Sequence, residues 1–361
     1  MPEANTTPSQ DSSGSALPGH PADLTPAWLS EVLGTRVVAV ELLDHAFATN
    51  QRARIGLAYA MPGAGPASLF AKLAPLDEAH RQMIGAIGMG VREAQFYADV
   101  AGTIDLLVPS CAYSGADGDL FVLLLEDLAA RGCRFSDGGW GVSADAAANA
   151  LEDLARFHAR FEDPAARDAA APWLQAPSRG PGSAAAAGLM RMVLDRNAEA
   201  LSPAYRAIGE LYVEHHAWFD ETWHAGPQTY VHGDLHIGNV FLDADRVGFI
   251  DWGLSRTSTH LRDVSYFLTM SVDVAERRAN ERALLETYLG ALRSAGGAEI
   301  RFDDAWQAHR LQASYTVVAT FLAYMPSYMA GDGVSLGSAL LARADAALED
   351  LDAVAAVRAA L

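Results

Sequence analysis

The sequence predicts an α+β fold with two lobes: a small N-terminal lobe built on a five-stranded antiparallel sheet with one helix, and a larger, mainly helical C-terminal lobe. A chain of 361 residues is longer than one hydrophobic core usually organises, which suggests two lobes. Short apolar runs separated by turns fill the first part of the chain, and long amphipathic patterns fill the rest. The pattern changes near residue 127, so we expect the lobes to span residues 23–127 and 128–361.

The elements of the N-terminal lobe follow from short apolar segments bounded by turn residues. One helix is predicted at VREAQFYADV, Val91 to Val100, because its apolar side chains fall on one face. Five strands are predicted at TRVVAVELLDHA, ARIGLAYA and ASLFAKLA, and at the two arms of PSCAYSGADGDLFVLLLEDL.

The C-terminal lobe is predicted from helical periodicity and helix-start signals. The segment SADAAANALEDLARFHARF is helical, with Ser143 as its cap and His158 interpreted as a core histidine on the apolar face. A second long helix starts at the Ser-Pro pair of SPAYRAIGELYVEHHAWFDETW. A strand–loop–strand region from Tyr230 to Trp252 and further amphipathic helices complete the lobe.

Composition excludes several classes of protein. Residues 1–22 are rich in Ser, Thr, Pro and Gly without a basic start or an apolar stretch, which predicts a disordered tail and no signal peptide. No uncharged apolar run reaches eighteen residues, so no transmembrane helix is expected. A net charge of −19 argues against nucleic acid and anionic membranes as partners. Two cysteines make a disulfide framework improbable and suggest a cytoplasmic protein.

Lys72 is the only lysine among 26 basic residues, the others being arginines. It lies in the apolar segment SLFAKLAP, where a charge is unfavourable unless it is paired. A compact ammonium differs from a planar guanidinium in how it meets an anion. The position therefore predicts a buried point charge directed at an anion, with a chance occurrence in an arginine-rich chain as the alternative.

The segment HGDLHIGN, His232 to Asn239, places polar groups between two apolar runs. The following VFLDADRVGFID predicts a hairpin that returns Asp251 to the neighbourhood of Asn239, so that Asp234 converges with them. Few oxygen ligands completed by substrate phosphates suit Mg²⁺. A further carboxylate can accept the proton of a hydroxyl group. The cluster predicts phosphoryl transfer from a nucleoside triphosphate.

The pattern H-G-D-x-H-x-x-N followed by I-D-W-G resembles the aminoglycoside phosphotransferase and choline kinase family, small-molecule kinases with the protein-kinase-like fold. The segments NQRARIGLAY, LFAKLAP, EAQFYADV and LLLEDLAARG resemble more narrowly the ecdysteroid-kinase-like branch. The resemblance covers roughly residues 30–330. It implies transfer of the γ-phosphate of ATP, with Mg²⁺, to a hydroxyl group of a small molecule.

The resemblance also implies a role for individual positions. Asp234 would be the catalytic base, and Asn239 and Asp251 would bind Mg²⁺. Lys72 would contact the α- and β-phosphates and be paired with Glu93. The remaining implied positions are the adenine-binding hinge and supporting residues of the catalytic loop: Glu126, Asp127 and Leu128 at the hinge, Asp263 as a brace of the loop, His232 as a structural residue, and His236, which would shape the loop or approach the phosphates.

The sequence departs from the broader kinase pattern at the turn that covers the phosphates. HAFATNQRA contains no glycine, so backbone approach to phosphate is harder and the side chains of Thr49, Asn50 or Gln51 would substitute. This leaves a catalytically inactive nucleotide-binding relative as an alternative. A metallohydrolase using His232, Asp234 and His236 is a second alternative, although it leaves Lys72 without a role. The acceptor, the choice between ATP and GTP, and the oligomeric state stay open.

Overall fold

The computed structural model describes residues 16–47, 49–174, 182–197, 199–324 and 334–361. Most of the expected disordered tail, residues 1–15, therefore lies outside the described residues. The chain divides into two compact units, the first comprising Met1–Ala94 with Cys111–Asp127 and the second Gln95–Ser110 with Leu128–Leu361. Residues 95–110, which the expected division assigned to the N-terminal lobe, pack within the second unit.

The first unit contains the five-stranded antiparallel sheet that the sequence predicts. The strands follow the order β1-β2-β3-β5-β4, and each neighbouring pair is antiparallel. One face of the sheet is covered by Trp28 and Leu29, which pack on Ile55, Leu69 and other buried apolar residues. The strands are β1 (Val37–Phe47), β2 (Gln51–Tyr59), β3 (Ser68–Leu73), β4 (Cys111–Asp117) and β5 (Leu120–Glu126).

The described residues of the N-terminal part form three α-helices, not one: α1 (Pro26–Leu33), α2 (Glu78–Ala86) and α3 (Met89–Gln95). The predicted helix at Val91–Val100 is α3 followed by a π-helical turn at Phe96–Val100. Helix α1 has clear boundary signals that the periodicity analysis missed. Thr25 accepts a hydrogen bond from the backbone of Trp28 at 3.3 Å, and Gly34 ends the helix with a left-handed φ of 64°.

The second unit is mainly helical, as predicted, and packs around a core of aromatic and aliphatic side chains from several helices. No helix among the described residues is long and apolar enough to cross a membrane. Cys111 and Cys133 are free thiols. The helices are α4 (Ala144–Arg160), α5 (Pro164–Ala170), α6 (Gly182–Arg196), α7 (Pro203–Trp223), α8 (Leu261–Met270), α9 (Val274–Ser294), α10 (Phe302–Gln312), α11 (Tyr315–Thr320), α12 (Val334–Asp350) and α13 (Ala353–Ala360).

Two small sheets of the second unit hold the polar segment of the sequence. Strand β6 (Arg134–Phe135) pairs with β8 (Val240–Asp243), which forms the expected hairpin with β9 (Arg246–Phe249). Strand β7 (Gln228–Val231) pairs antiparallel with β10 (Arg256–Thr259). The segment HGDLHIGN thus leaves β7 and enters β8, so that both of its ends are fixed by paired strands.

Candidate active site

Asp234 and Asn239 are joined directly within the loop between β7 and β8. The Asn239 side-chain amide donates to the Asp234 carbonyl at 2.9 Å and to its Oδ2 at 3.0 Å. A short 3₁₀ turn at Ile237–Asn239 makes this possible, because the Asn239 backbone N–H donates to the carbonyl of His236 at 2.8 Å. The amide nitrogen is thereby engaged, and the Asn239 Oδ1 atom accepts no hydrogen bond from the residues that the structure describes.

The hairpin of β8 and β9 brings Asp251 next to Asn239. The backbone N–H of Ile250 donates to the Asn239 carbonyl at 3.0 Å, immediately before Asp251. Asp251 has a left-handed backbone with φ 66° and ψ 62°, which turns the chain sharply at the end of the hairpin. Trp252 is fully buried and stacks on Phe96, with ring centroids 3.9 Å apart and 7° between the planes. Asp251 therefore immediately precedes a residue whose position is fixed by aromatic stacking.

Asp263, at the start of α8, holds the backbone that precedes Asp234. Its carboxylate is fully buried and accepts hydrogen bonds from the backbone N–H groups of His232 at 2.6 Å and Gly233 at 2.8 Å. Gly233 has φ 85°, and a Cβ atom there would lie 2.5 Å from the carbonyl oxygen of Leu254, so no other residue fits. The loop conformation is fixed on both sides of this glycine.

His158 and Tyr288 extend the hydrogen bonds that hold the loop, and the sequence had connected neither residue with it. His158 of α4 places Nε2 at 3.3 Å from the Asp263 carboxylate and Nδ1 at 2.8 Å from the hydroxyl of Tyr288 on α9. Burial favours a neutral Asp263, but His158, His232 and the Gly233 N–H outweigh it, and the pKa of Asp263 is lowered. His158 is a core histidine, as interpreted, but its partner is the carboxylate that orders the loop. Tyr288 had no recognisable sequence signal.

The two histidines of the loop are engaged through both ring nitrogens. His232 donates from Nε2 to the Ile250 carbonyl at 2.9 Å and accepts from the Asp234 N–H at 3.3 Å. Burial lowers the pKa of His232, so it is the neutral tautomer that these contacts require. His236 accepts from the Gly238 N–H at 3.1 Å and places Nε2 at 3.5 Å from Asp234 Oδ2. Neither ring has a nitrogen left for a metal.

Asp234 is ionised in this environment. Burial opposes the charge, but the charge and hydrogen bond of His236, followed by the charge of His232, lower the pKa of Asp234. The Asp234 carboxylate acts in turn on the imidazole: burial opposes protonation, but the carboxylate outweighs it and raises the pKa of His236. The Asp234 side chain keeps 23% of its surface exposed, so this ionised carboxylate can be reached.

The oxygen atoms of Asn239 and Asp251 fit a hard divalent cation that keeps several other ligands, as Mg²⁺ does when phosphates and water complete its shell. Within the described ranges, no three His, Cys, Asp or Glu side chains are grouped to hold a metal ion. This argues against the metallohydrolase alternative, which needs such a group at His232, Asp234 and His236. The donor set fits a metal that arrives with a phosphorylated ligand.

Lys72 and Glu93 form a buried ion pair in the first unit. Lys72 lies on β3 and is 4% exposed, Glu93 lies on α3 and is 2% exposed, and the lysine Nζ hydrogen-bonds Glu93 Oε2. Lys72 is fixed further by the sheet, where it pairs with Arg52 on one side and Leu123 on the other. The Lys72–Glu93 pair is thus buried and is not a surface ion pair.

The three side chains expected to replace a glycine-rich loop differ in their surroundings. Thr49 is exposed in the turn between β1 and β2. Asn50 is buried, and its Oδ1 accepts from Arg52 Nε at 3.2 Å. The fully buried Gln51 donates its amide to the carbonyls of Gly19 at 2.7 Å and Ala74 at 2.6 Å. Thr49 is therefore the most accessible of the three.

The segment expected to form the hinge follows β5. Glu126 ends the strand and pairs with Leu69. Asp127 is 5% exposed and accepts a forked hydrogen bond from Arg54, at 3.1 Å from Nε and 2.9 Å from Nη2. The carbonyl of Leu128 accepts from the N–H of Cys133 at 3.0 Å. Arg54 on β2, which the sequence analysis did not single out, thus fixes the carboxylate in the middle of this segment.

Solved structures of the same fold are numerous. A protein from Ralstonia eutropha, assigned as an aminoglycoside phosphotransferase, is 14% identical, with a TM-score of 0.53 and coverage of 91% of this chain and 97% of that one. The choline kinase LicA from Streptococcus pneumoniae is 12% identical, with a TM-score of 0.50 and coverage of 92% and 98%. A GDP complex of a mutant aminoglycoside 2′-phosphotransferase-IIIa is 16% identical, with a TM-score of 0.51 and coverage of 89% and 95%.

At these identities the likeness shows the fold, which is the protein-kinase-like fold that the sequence predicts. No curated protein matches the chain. The narrower resemblance to the ecdysteroid-kinase-like branch stays a prediction. The profile of the phosphotransferase enzyme family, abbreviated APH, matches residues 45–313. Since this match spans most of the chain, the protein belongs to the phosphotransferase enzyme family and is a small-molecule kinase.

Proposed function

We propose that this protein transfers the γ-phosphate of ATP to a hydroxyl group of a small molecule in a Mg²⁺-dependent reaction. The observation that carries the proposal is the convergence of Asp234, Asn239 and Asp251 at the end of one hairpin. The Asn239 side-chain amide donates a hydrogen bond to Asp234 Oδ2 at 3.0 Å. The backbone N–H of Ile250, which precedes Asp251, donates to the Asn239 carbonyl at 3.0 Å. Positioning of this kind supplies most of the rate of phosphoryl transfer.

Asp234 accepts the proton of the acceptor hydroxyl. Its pKa is lowered, since the charge and hydrogen bond of His236 outweigh burial, and it is therefore a carboxylate at neutral pH. The hydroxyl oxygen forms a bond to the γ-phosphorus, the bond from that phosphorus to the β–γ bridging oxygen breaks, and the proton goes to Asp234 Oδ2 or Oδ1. The Asn239 amide hydrogen-bonds Oδ2 and orients the carboxylate toward the hydroxyl.

Asn239 Oδ1 and the Asp251 carboxylate are the atoms that would hold Mg²⁺, which neutralises charge on the phosphates when it is bound. Asn239 is suited to this because its amide nitrogen is already used by Asp234, and the oxygen is directed elsewhere. Asp263 keeps the loop in this arrangement through the two backbone N–H groups before Asp234.

In the first unit, Lys72 would neutralise the α- and β-phosphates while Glu93 holds its ammonium group in place. Thr49 and Asn50 would supply polar groups at the phosphate turn. Gln51, whose amide is committed to two backbone carbonyls, would fix the turn and contribute its backbone. The hinge residues Glu126, Asp127 and Leu128 would meet the adenine through backbone atoms. The cytoplasmic location suggested by the cysteine content also stays a prediction.

A nucleotide-binding module without catalysis is the second candidate, favoured by one observation. The turn between β1 and β2 lacks glycine, and the side chain of Gln51 is fully buried with its amide bonded to two backbone carbonyls. The ionised Asp234 and the hydrogen-bonded loop around it argue against this second candidate, because nucleotide binding alone requires neither.

The test compares wild type with Asp234→Asn and the control Asp243→Asn. Asp243 is a half-exposed carboxylate at the opposite end of the same hairpin, paired with Arg131. Thermal melts are recorded with MgATP, with MgGTP and with ATP plus EDTA, and ADP formation is followed with a panel of hydroxyl compounds. At a hundred times the dissociation constant, a ligand should add about 2.7 kcal/mol of stability.

We expect a stabilisation that needs both nucleotide and Mg²⁺ in all three proteins. Turnover should be lost in Asp234→Asn, by at least about a hundredfold, and kept in Asp243→Asn. Nucleotide binding without turnover in the wild type for any acceptor would favour the non-catalytic module. Equal turnover in Asp234→Asn and wild type would exclude Asp234 as the base.

A further inference from the structure

Arg262 is a buried guanidinium with an unmet hydrogen-bonding group. The residue is 4% exposed, and its Nη1 atom has no hydrogen-bond partner in the part of the chain that the structure describes. Its Cζ lies 3.0 Å from the ring centroid of Tyr315 and 5.8 Å from that of Tyr266. Aromatic faces stabilise the charge but do not accept the N–H groups in the manner of an oxyanion. Arg262 is therefore arranged to receive an anionic ligand.

A second arginine, Arg256, lies in the same neighbourhood. It begins β10 opposite Val231, the residue before the catalytic loop, and its Nε donates to the Leu254 carbonyl at 3.3 Å. Burial lowers the pKa of Arg256 and the charge of Arg262 lowers it further, while Tyr315, Asp220 and Asp234 act in the opposite direction. The two guanidinium groups thus act on each other, and Arg256 also interacts with the catalytic carboxylate.

The other titratable groups around the arginines include carboxylates and a histidine. Besides Asp234, the Asp220 carboxylate of α7 acts on Arg256. Burial raises the pKa of Asp220, although a hydrogen bond from Ser183 and the charges of the arginines and His216 oppose this. His224 is neutral at physiological pH, because burial and then the two arginines lower its pKa to about 3. The two arginines therefore lie near Asp220 and the catalytic Asp234, and His224 adds no charge.

This cluster is adjacent to the catalytic loop. Tyr266, which lies beneath Arg262, meets the His236 ring edge-on with centroids 6.4 Å apart. His236 is in turn 3.5 Å from Asp234. Arg262 also immediately precedes Asp263, which binds the backbone of the loop. A molecule that places a hydroxyl at Asp234 would extend toward these arginines.

We propose that the acceptor carries an oxyanion, a carboxylate or a phosphate ester, close to the hydroxyl that is phosphorylated, and that Arg262 and Arg256 bind it. The inference rests on the proposed function, since it names the acceptor of that site. A guanidinium offers two parallel N–H donors that match a carboxylate or phosphate. The same cations disfavour an acceptor that is itself a cation, because like charges brought together in a buried site repel.

The test measures binding directly and does not depend on turnover. Within each set of probes the hydroxyl groups stay and the neighbouring group changes between an anion and an amide. The first set is D-glycerate, glyceramide and glycerol 3-phosphate, and the second is shikimate and its primary amide. Choline and kanamycin are the cationic probes. Dissociation constants are measured by ligand-observed NMR with the full chain, for wild type, Arg262→Met, Arg262→Lys, Arg256→Met and the control Arg301→Met. Arg301 is an exposed arginine paired with Asp304 on α10.

We expect at least one anionic probe to bind at least tenfold tighter than its amide. The preference should fall below threefold in Arg262→Met and Arg256→Met, be reduced in Arg262→Lys, and persist in Arg301→Met. Asp220→Asn, which removes the opposing carboxylate, should strengthen anion binding. Preference for phosphate over carboxylate identifies which oxyanion the site selects.

Equal affinities for acids and amides, tighter binding of choline or kanamycin, or an unchanged preference in both arginine variants would overturn the inference. The melts with MgATP test the phosphotransferase separately. Nucleotide-dependent turnover with cationic acceptors alone would leave the proposed function standing and exclude the anionic acceptor. Anion binding without any nucleotide effect would overturn the proposed function, and with it the role of the bound anion as an acceptor.

Discussion

At the scale of single residues, Lys72 shows how composition can indicate a site. All the basic residues of the chain except Lys72 are arginines. Lys72 is 4% exposed, and its ammonium group hydrogen-bonds the buried carboxylate of Glu93. A buried ion pair is weak evidence for stability, since desolvation offsets much of the attraction. A lysine at this buried position is better explained by a ligand that needs a compact cation.

The Lys72→Arg variant tests this explanation. We expect kcat/KM for MgATP to fall at least tenfold, equivalent to about 1.4 kcal/mol, because the larger planar group cannot keep both Glu93 and the phosphates. Steady-state kinetics at varied MgATP measure the change. Arg81→Lys is the matched control, since Arg81 pairs with Asp119 at 3.0 Å at the surface of the same unit. Equal kinetics for Lys72→Arg and wild type would refute the phosphate role.

Tyr288 supports the loop that contains Asp234 through two other residues, His158 and Asp263. Burial raises its pKa well above the usual range, so the phenol stays protonated and donates to His158, which holds Asp263. Tyr288→Phe leaves a buried imidazole nitrogen without a donor, and we expect a loss of about 1–3 kcal/mol in the free energy of unfolding. We also expect a lower kcat with an unchanged KM for MgATP.

The control for this variant is Tyr205→Phe. Tyr205 is equally buried in the same unit, and its hydroxyl donates to the Val317 carbonyl at 2.8 Å, away from the loop. Urea denaturation and kinetics are measured on both. If Tyr205→Phe lowers kcat as much as Tyr288→Phe does, Tyr288 contributes only general stability.

At the scale of elements, the hairpin of β8 and β9 does two things for the site: it returns Asp251 to Asn239, and it ends in a left-handed residue. Such a backbone costs most residues about 1–2 kcal/mol, whereas Asp and Asn tolerate it. Trp252, stacked on Phe96, holds the turn. The element thus supplies the position of Asp251 and a left-handed backbone that Asp tolerates.

Two substitutions separate the contribution of the Asp251 backbone conformation from that of its charge. Asp251→Asn should keep the free energy of unfolding near that of wild type, and Asp251→Ala should lose about 1 kcal/mol, because only alanine is strained at φ 66°. Both should lose Mg²⁺-dependent turnover. Asp352, left-handed at φ 46° before α13, provides the same pair of substitutions as a control without loss of activity. Retained turnover in Asp251→Asn would contradict the metal role.

At the scale of the whole molecule, buried neutral histidines make the second unit sensitive to acid. Burial lowers the pKa of His224 and of His260 to about 3. In the unfolded chain both titrate near 6.5, so between pH 6.5 and about 3 the unfolded state binds more protons. The stabilisation is complete above pH 6.5 and is lost as the pH falls toward 3.

We expect the free energy of unfolding to fall by up to about 1.4 kcal/mol per pH unit for each of these histidines in that range. Urea titrations followed by tryptophan fluorescence measure it, because six of the seven tryptophans lie in the second unit. His224→Asn and His260→Asn should each flatten the slope, and the partly exposed His215→Asn should not. A slope that persists in the double variant would assign the acid sensitivity elsewhere.

The sequence by itself determined the fold class and most of the order of strands and helices, and it predicts the segment that carries the proposed chemistry. These depend on local periodicity and on short-range spacing, as in the path from Asp234 through Asn239 to Asp251. It left the short helix α1 unrecognised, although Thr25 and Gly34 mark its ends, and it placed residues 95–110 with the first lobe.

Only the tertiary structure decided which distant residues serve the site. Arg54 meets Asp127 across 73 positions, and Tyr288 reaches His158 across 130, contacts that no spacing rule predicts. Arg262 is one of 25 arginines in the sequence, and its burial over Tyr315 emerges only when α8 packs near α11. Local patterns specify elements because they act within a few residues, whereas the charges surrounding an acceptor depend on how the elements pack.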